Sequence, residues 1–397
     1  MQPHSHAPTD GSEPRLPQAD AGIHRAGTGW ARWAGLAGLA GWNAWTLWTL
    51  LVAVIAASLL TLAPPAQAMP GDAGTVASAA ADAARTQALL RASEAVIGVQ
   101  VAALDDARSA RTLGQSRSGS GVVIGADGLV LTIGYLVLEA DQVTLVLDDG
   151  RSLPARVLGY DVATGFGLVQ ALAPLGLAPV PLGQPEALAA DAQLMVVSGG
   201  GAGAASLARL VARRPFSGYW EYHIDGALFT APPRRDHSGA GLFNASGELV
   251  GIGSLFVADA TDPAGSDDGP RTRQAGNMFV PVDLLRPILD DLRRKGSGTA
   301  SQRAWLGLNC VEQGGQLRVV RVTDDSPADV AGLQVGDRIL GIDGRPVGAL
   351  ATLWQALWSG GAAERAVSLQ IERDAQPRTV QVFSVDRAKT LRRAEGI

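Results

Sequence analysis

Asp236-His237-Ser238-Gly239-Ala240-Gly241-Leu242-Phe243-Asn244 sets a serine in a glycine-flanked turn. Upstream, Ser118-Gly-Ser-Gly-Val-Val-Ile124 passes through Asp127-Gly128 into Leu131-Thr-Ile-Gly-Tyr-Leu-Val137. From Val96 onward the chain is a series of short β-branched runs broken by Gly and Asp, such as Ile97–Val101, Leu129–Thr132, Val143–Leu147 and Gly167–Gln170. Asp127-Gly128 and Asp149-Gly150 are hairpin signals between such runs. Many short strands at this spacing predict an all-β barrel or sandwich. Further strands are expected at Gln193–Val197, Leu207–Ala212, Tyr219–Ile224 and Leu249–Ile252.

The serine turn resembles the nucleophile turn of a trypsin-like serine protease, and Ser118–Val137 resembles the HtrA (Deg) branch of that family. Gly276-Asn-Met-Phe-Val-Pro-Val-Asp283, followed by a helix over Leu284–Lys295, resembles the end of an HtrA protease domain. Trp305-Leu-Gly-Leu308 resembles the carboxylate-binding loop of a PDZ domain. Ser326-Pro-Ala-Asp-Val-Ala-Gly-Leu-Gln-Val-Gly-Asp-Arg-Ile-Leu-Gly-Ile-Asp-Gly-Arg-Pro-Val347 carries the long signature of HtrA-type PDZ domains. The resemblance covers roughly residues 93–385. It implies a mainly β chain: two six-stranded antiparallel barrels, then a PDZ unit with its groove helix at Leu350–Trp358. It also implies a homotrimer built through the N-terminal part of the barrels.

The chemistry departs from the family. Where a histidine ends the family's Thr-Asn-Asn-His pattern, this chain has Tyr135; in Asp161-Val-Ala-Thr-Gly165-Phe-Gly167 the triad aspartate's place is taken by Gly165. A serine hydroxyl needs a base at hydrogen-bond distance to attack an amide. A phenol, with an ordinary pKa of ~10, is a poor one near neutrality. Losing one triad member from a working site costs on the order of 10⁴–10⁶ in kcat. His237 neighbours Ser238, but adjacent side chains diverge in a tight turn. His223, the other histidine of the body, falls in a strand and reads as a solvent-facing or satisfied strand residue. Lys295 and Lys389, the only lysines, lie outside the barrel turns. The oxyanion hole would be formed by the amides of positions 236 and 238, but Asp236 stands where the family has Gly, bringing a carboxylate toward a developing anion.

Binding remains. A PDZ groove takes an extended C-terminal peptide as an added strand and holds its carboxylate on backbone N–H groups. By the resemblance these are the amides of Leu306, Gly307 and Leu308, with the pocket lined by Leu308 and by Leu353, Leu357 or Trp354 of the groove helix. The expected partners are polypeptide C-termini or unfolded envelope proteins, in the role of adaptor, chaperone or regulator of a true protease. An active endopeptidase using Ser238 with another base and an inert structural protein are the competing readings. The sequence calls for no cofactor and no metal site. Cys310, the single cysteine, reads as a small buried strand residue.

Net charge is −5, which gives no basic surface for nucleic acid. Residues 1–29 read as a disordered cytoplasmic tail, rich in Pro, His, Gly and Ala. Within 30–65, the uncharged stretch Ala34–Ala63 exceeds the ~20 apolar residues that cross a bilayer. Arg15, Arg25 and Arg32 before it, with Trp30 and Trp33 at its start, put the tail in the cytoplasm and the body in the periplasm. The segment reads as a single-pass inner-membrane anchor or, given Ala66-Gln-Ala68, as a leader cleaved near Ala68 that would release a soluble periplasmic body. An Ala-rich, helical spacer follows (66–92), then the trypsin-like domain (93–295), a flexible Gly/Ser linker (296–303), the PDZ domain (304–385) and a C-terminal tail (386–397).

Overall fold

Apolar runs of alternating burial, hinged at Gly and Asp turns, close into two barrels. The computed structural model describes residues 73–200, 204–261 and 273–392. The N-terminal tail, the proposed membrane segment and the Ala66–Ala68 site lie outside the described residues. No described helix is long and apolar enough to cross a membrane. The spacer forms helix α1 (Ala73–Glu94).

The first barrel contains β1 (Val96–Ala103), β2 (Ser116–Gly125), β3 (Leu129–Ile133), β4 (Ala140–Val146), β5 (Ser152–Tyr160) and β6 (Phe166–Ala171). It closes in the order β1-β2-β3-β6-β5-β4. The Asp127-Gly128 turn joins β2 to β3 as expected, with the Gly128 amide donating to the Gly125 carbonyl at 3.0 Å. The second barrel contains β7 (Gln193–Val197), β8 (Ala205–Gly218), β9 (Tyr222–Ala231), β10 (Gly241–Phe243), β11 (Leu249–Val257) and β12 (Gly276–Pro281). Its order is β10-β11-β12-β9-β8-β7. Phe166, Phe229, Phe243 and Phe279 are fully buried in this pair, each contributing about 1.5–3 kcal/mol by leaving water.

Two elements differ from expectation. The helix predicted over Leu284–Lys295 is a 3₁₀ turn at Val282–Leu284, followed by the shorter helix α2 (Leu289–Lys295), which ends on a left-handed Gly296. The strand predicted at Tyr219–Ile224 begins only at Tyr222, leaving Tyr219, Trp220 and Glu221 as the tip of a long β8–β9 hairpin.

The PDZ unit has β13 (Ala304–Trp305), β14 (Leu308–Gln313), β15 (Gln316–Val322), β16 (Arg338–Ile342), β17 (Arg345–Pro346), β18 (Ala366–Arg373), β19 (Gln376–Phe383) and β20 (Val385–Asp386). Helix α3 (Leu350–Ser359) packs Leu353, Trp354 and Leu357 into its core. Cys310 is fully buried on β14, and burial raises its thiol pKa.

The barrels and the PDZ unit lie in one compact body beginning at Ala73. The linker expected to be flexible is fixed against the first barrel. Gly296 carbonyl accepts from the Tyr160 amide at 3.0 Å, and the Gly298 amide and Ser301 hydroxyl donate to Asp161 Oδ1 at 3.1 and 2.6 Å. Its glycines therefore allow close packing here. The residues after the PDZ unit continue this docking: the Arg392 amide reaches Glu139 Oε1 of the first barrel at 3.0 Å.

Candidate functional site

Ser238 sits in the turn between β9 and β10, against the first barrel. Its carbonyl accepts from the Ser120 amide of β2 at 2.8 Å, and the next residue, Gly239, donates to the Gly253 carbonyl at 2.9 Å. Gly239 has φ +74°, and a Cβ there would stand 2.0 Å from the Ser120 carbonyl oxygen. Only glycine fits where the barrels approach this closely.

Tyr135 enters from the helical turn Gly134–Val137 that follows β3. Arg117, 6% exposed, fixes that turn from below. Its guanidinium donates to the Tyr135 and Leu138 carbonyls at 3.0 and 2.6 Å. The Tyr135 hydroxyl oxygen lies 2.8 Å from Ser238 Oγ and 2.9 Å from the Ser254 carbonyl oxygen. A carbonyl only accepts, so the single phenolic proton goes to Ser254 and the serine hydroxyl donates to the phenol oxygen. Desolvation at its hydroxyl end pushes Tyr135 up to about 12, against the lowering effect of the Ser238 hydrogen bond. The phenol therefore holds the serine proton in place without being able to take it near neutrality.

Gly165 adjoins Tyr135: its carbonyl accepts from the Gly134 amide at 2.7 Å. It has φ +82°, and an added Cβ would meet Tyr222 Oη at 3.2 Å. Tyr222 comes from the second barrel, donates to the Thr164 carbonyl at 2.7 Å and stacks on Trp220 with ring centroids 5.7 Å apart. The ground in front of position 165 is thus filled by an aromatic side chain. Asp161, at the head of the same turn, binds the Thr164 amide and hydroxyl at 2.8 and 2.7 Å through Oδ2 and points its other oxygen at the linker.

Asp236 turns away from Ser238. Its Oδ1 accepts from Arg234 Nε at 2.9 Å and its Oδ2 from the Ser198 hydroxyl at 2.5 Å. Partial burial would raise its pKa, but Arg234 and Ser198 hold it below its usual value. The repulsion expected from this carboxylate is thereby damped by a paired cation. His237 does not turn to the serine: its Nδ1 lies 3.1 Å from the Arg234 carbonyl, and burial lowers its pKa. His223 is satisfied, with Nδ1 2.8 Å from Ser217 Oγ and Nε2 3.1 Å from Gln355 Nε2 of α3. Among the described residues no cluster of His, Cys, Asp and Glu is arranged to hold a metal ion.

The PDZ groove is occupied from within. The Leu306, Gly307 and Leu308 amides converge on one acceptor, Glu221 Oε1, at 3.1, 2.7 and 2.9 Å. Behind it, the Cys310 amide of β14 donates to the Tyr219 carbonyl at 2.7 Å, and Trp220 pairs antiparallel with Asn309. Trp354 of α3 donates its indole N–H to the Gly218 carbonyl at 3.0 Å. The expected donors are present, but the groove that Leu353 and Leu357 were expected to line for a foreign peptide holds the chain's own hairpin tip. Sequence reasoning missed Glu221, Arg117 and Arg234. The one available signal was an acidic residue among the aromatics Tyr219, Trp220 and Tyr222.

The trypsin-like peptidase domain family matches residues 119–252 and the PDZ domain family residues 304–383. The chain is 28% identical over 281 residues to a probable periplasmic serine endoprotease DegP-like of Ectopseudomonas mendocina, covering 66% of this chain and 55% of that one. It is 27% identical over 271 residues to a probable periplasmic serine protease do/HhoA-like of Haemophilus influenzae, covering 66% and 57%. The chain spans about half the length of the curated relatives it matches. Among solved structures, the HtrA-type protease AlgW with tripeptide matches at TM-score 0.47 and 21% identity over 78% of this chain and 97% of that one.

Proposed function

Since the chain is of the HtrA type, a trypsin-like peptidase domain followed by a PDZ domain, we propose that it is a pseudoprotease whose working surface is its PDZ groove. The observation that carries this reading is the contact between Tyr135 and Ser238: the serine proton is held by a phenol whose own proton is committed to Ser254. Gly165 supplies no carboxylate, and neither histidine of the body is bonded to Ser238 among the described residues. What the fold retains is a set of amides arranged for a carboxylate, Leu306 to Leu308, beside a strand edge on β14. A polypeptide C-terminus is the ligand such an arrangement takes, and the protein acts on it as adaptor, chaperone or regulator in envelope protein quality control.

The body works outside the inner membrane, tethered through residues 34–63; the charge-free stretch and the arginines before it support this orientation, as do relatives named as periplasmic proteases. Incubation of the full chain with casein and with a fluorophosphonate probe tests the loss of activity. No cleavage and no labelling of Ser238 are expected. Ser238-dependent cleavage or stoichiometric labelling would overturn the reading in favour of an endopeptidase with an unrecognised base.

A further inference from the structure

We propose that Glu221 is an internal surrogate for a peptide C-terminus, and that the β8–β9 hairpin latches the PDZ groove shut until a free carboxylate displaces it. The inference rests on the reading of the groove as a terminus binder. Three features of such binding are met by the chain itself. One carboxylate oxygen takes all three loop amides, and Oε2 takes a second contact from Leu306 at 3.1 Å. The backbone just before it runs antiparallel to β14 through the Trp220–Asn309 bridge and the Cys310–Tyr219 bond. The far side is closed by α3, through Trp354 to Gly218 and Gln355 to His223.

Glu221 is 4% exposed and Leu306, Gly307 and Leu308 are buried, so the loop is covered while the hairpin is seated. A C-terminal peptide and the hairpin need the same amides and the same edge of β14. Their binding is therefore mutually exclusive, and the apparent affinity of a ligand is reduced by the fraction of molecules that are open. The latch also reaches the degenerate site. Tyr222, the next residue, fills the space before Gly165, so a ligand that lifts the tip loosens the contact between the second barrel and the Asp161–Gly165 turn.

The test uses the full chain at pH 8, with Glu221→Ala and with Tyr219–Glu221 replaced by Gly-Ser-Gly. The probe is a fluorescent peptide Pro-Phe-Ser-Gly-Tyr-Trp-Ala with a free C-terminus, which offers one carboxylate where Glu221 sits. Both variants are expected to bind it roughly 10–100-fold more tightly than the native chain, the scale of a freed charge-assisted hydrogen-bond site, and the C-terminally amidated peptide is expected to lose that gain. Hydrogen exchange, read separately, should show the Leu306–Leu308 and Cys310 amides protected in the native chain and exposed in the variants. Equal peptide affinity for native chain and variants, or unprotected amides in the native chain, would overturn the latch. Exposed amides in the variants with no carboxylate-dependent binding would instead overturn the terminus-binding reading.

Discussion

Glu221, the last residue of the hairpin tip, and Tyr222, the first of β9, serve two different sites. Glu221 gives its carboxylate to the Leu306–Leu308 loop of the PDZ unit, while Tyr222 sends its hydroxyl to the Thr164 carbonyl beside Gly165. Their side chains diverge where the tip passes into β9, so the hairpin holds both contacts at once. The aspartate expected at 165 is absent, and the second barrel's tyrosine stands against the glycine that replaces it. The contact at Gly165 and the filling of the groove thus share one structural element.

Tyr135→Phe removes the hydroxyl that joins Ser238 to Ser254. The Ser254 carbonyl, on a residue 7% exposed, loses its donor. Stability should fall by about 1–2 kcal/mol, measurable by urea unfolding. Ser238, freed from the phenol but still without a base, should remain unlabelled by a fluorophosphonate.

Restoring the family's residues, Tyr135→His with Gly165→Asp, should not restore proteolysis. At φ +82° any side chain is strained, and its Cβ would crowd Tyr222 Oη at 3.2 Å. The Gly165→Asp change alone should cost about 1–2 kcal/mol, read by thermal unfolding. Adding Tyr222→Ala should recover part of the steric component, but not the backbone strain.

Much of this architecture is legible in the sequence because its causes are local. Asp127-Gly128 is a turn by virtue of its own backbone, and the β-branched runs around it pair with their nearest neighbours. Tyr135 and Gly165 were recognisable as departures because the residues framing them kept the family pattern. What stayed hidden depends on distant partners. The Glu221 carboxylate meets amides about 85 residues away along the chain, and nothing near it says whether the hairpin tip faces water or another domain. The Gly/Ser linker reads as free because composition reports backbone freedom; the Asp161 carboxylate that captures it lies more than 130 residues upstream. Arg117 and Arg234 were likewise silent, since an arginine in a strand or turn reveals its carbonyl and carboxylate partners only once the chain has folded.

Asp161→Ala should release that linker. Its fully buried carboxylate serves the Thr164 amide and hydroxyl, the Gly298 amide and the Ser301 hydroxyl. Removing it leaves these donors without their acceptor, a loss of about 3 kcal/mol or more. Limited proteolysis should then cut within 296–303, and the native chain should resist there. A variant whose linker stayed protected would show that other contacts fix it.

Acidity should tighten the latch. Burial pushes Glu221 up from an ordinary 4.5 to about 7, overcoming the opposing pull of the Leu306, Gly307 and Leu308 amides and of Arg387. Arg387 faces it through a guanidinium 3.4 Å from the Glu221 carbonyl, and the Cys310 thiol lies nearby with its own pKa raised. In the open hairpin the carboxyl returns to its ordinary value. A group whose pKa is raised in the closed state contributes its full stabilisation below the open-state value and loses it as pH rises through the closed-state value. The latch should therefore be firmest below about pH 4.5 and weaken progressively up to about pH 7. A peptide's terminal carboxyl, with an ordinary pKa near 3.5, is already charged across this window. Hydrogen exchange of the loop amides, corrected for intrinsic rates, should show opening increasing from pH 5 to 7.5 in the native chain, with no such trend in Glu221→Gln. A parallel trend in both would assign the pH dependence to another group.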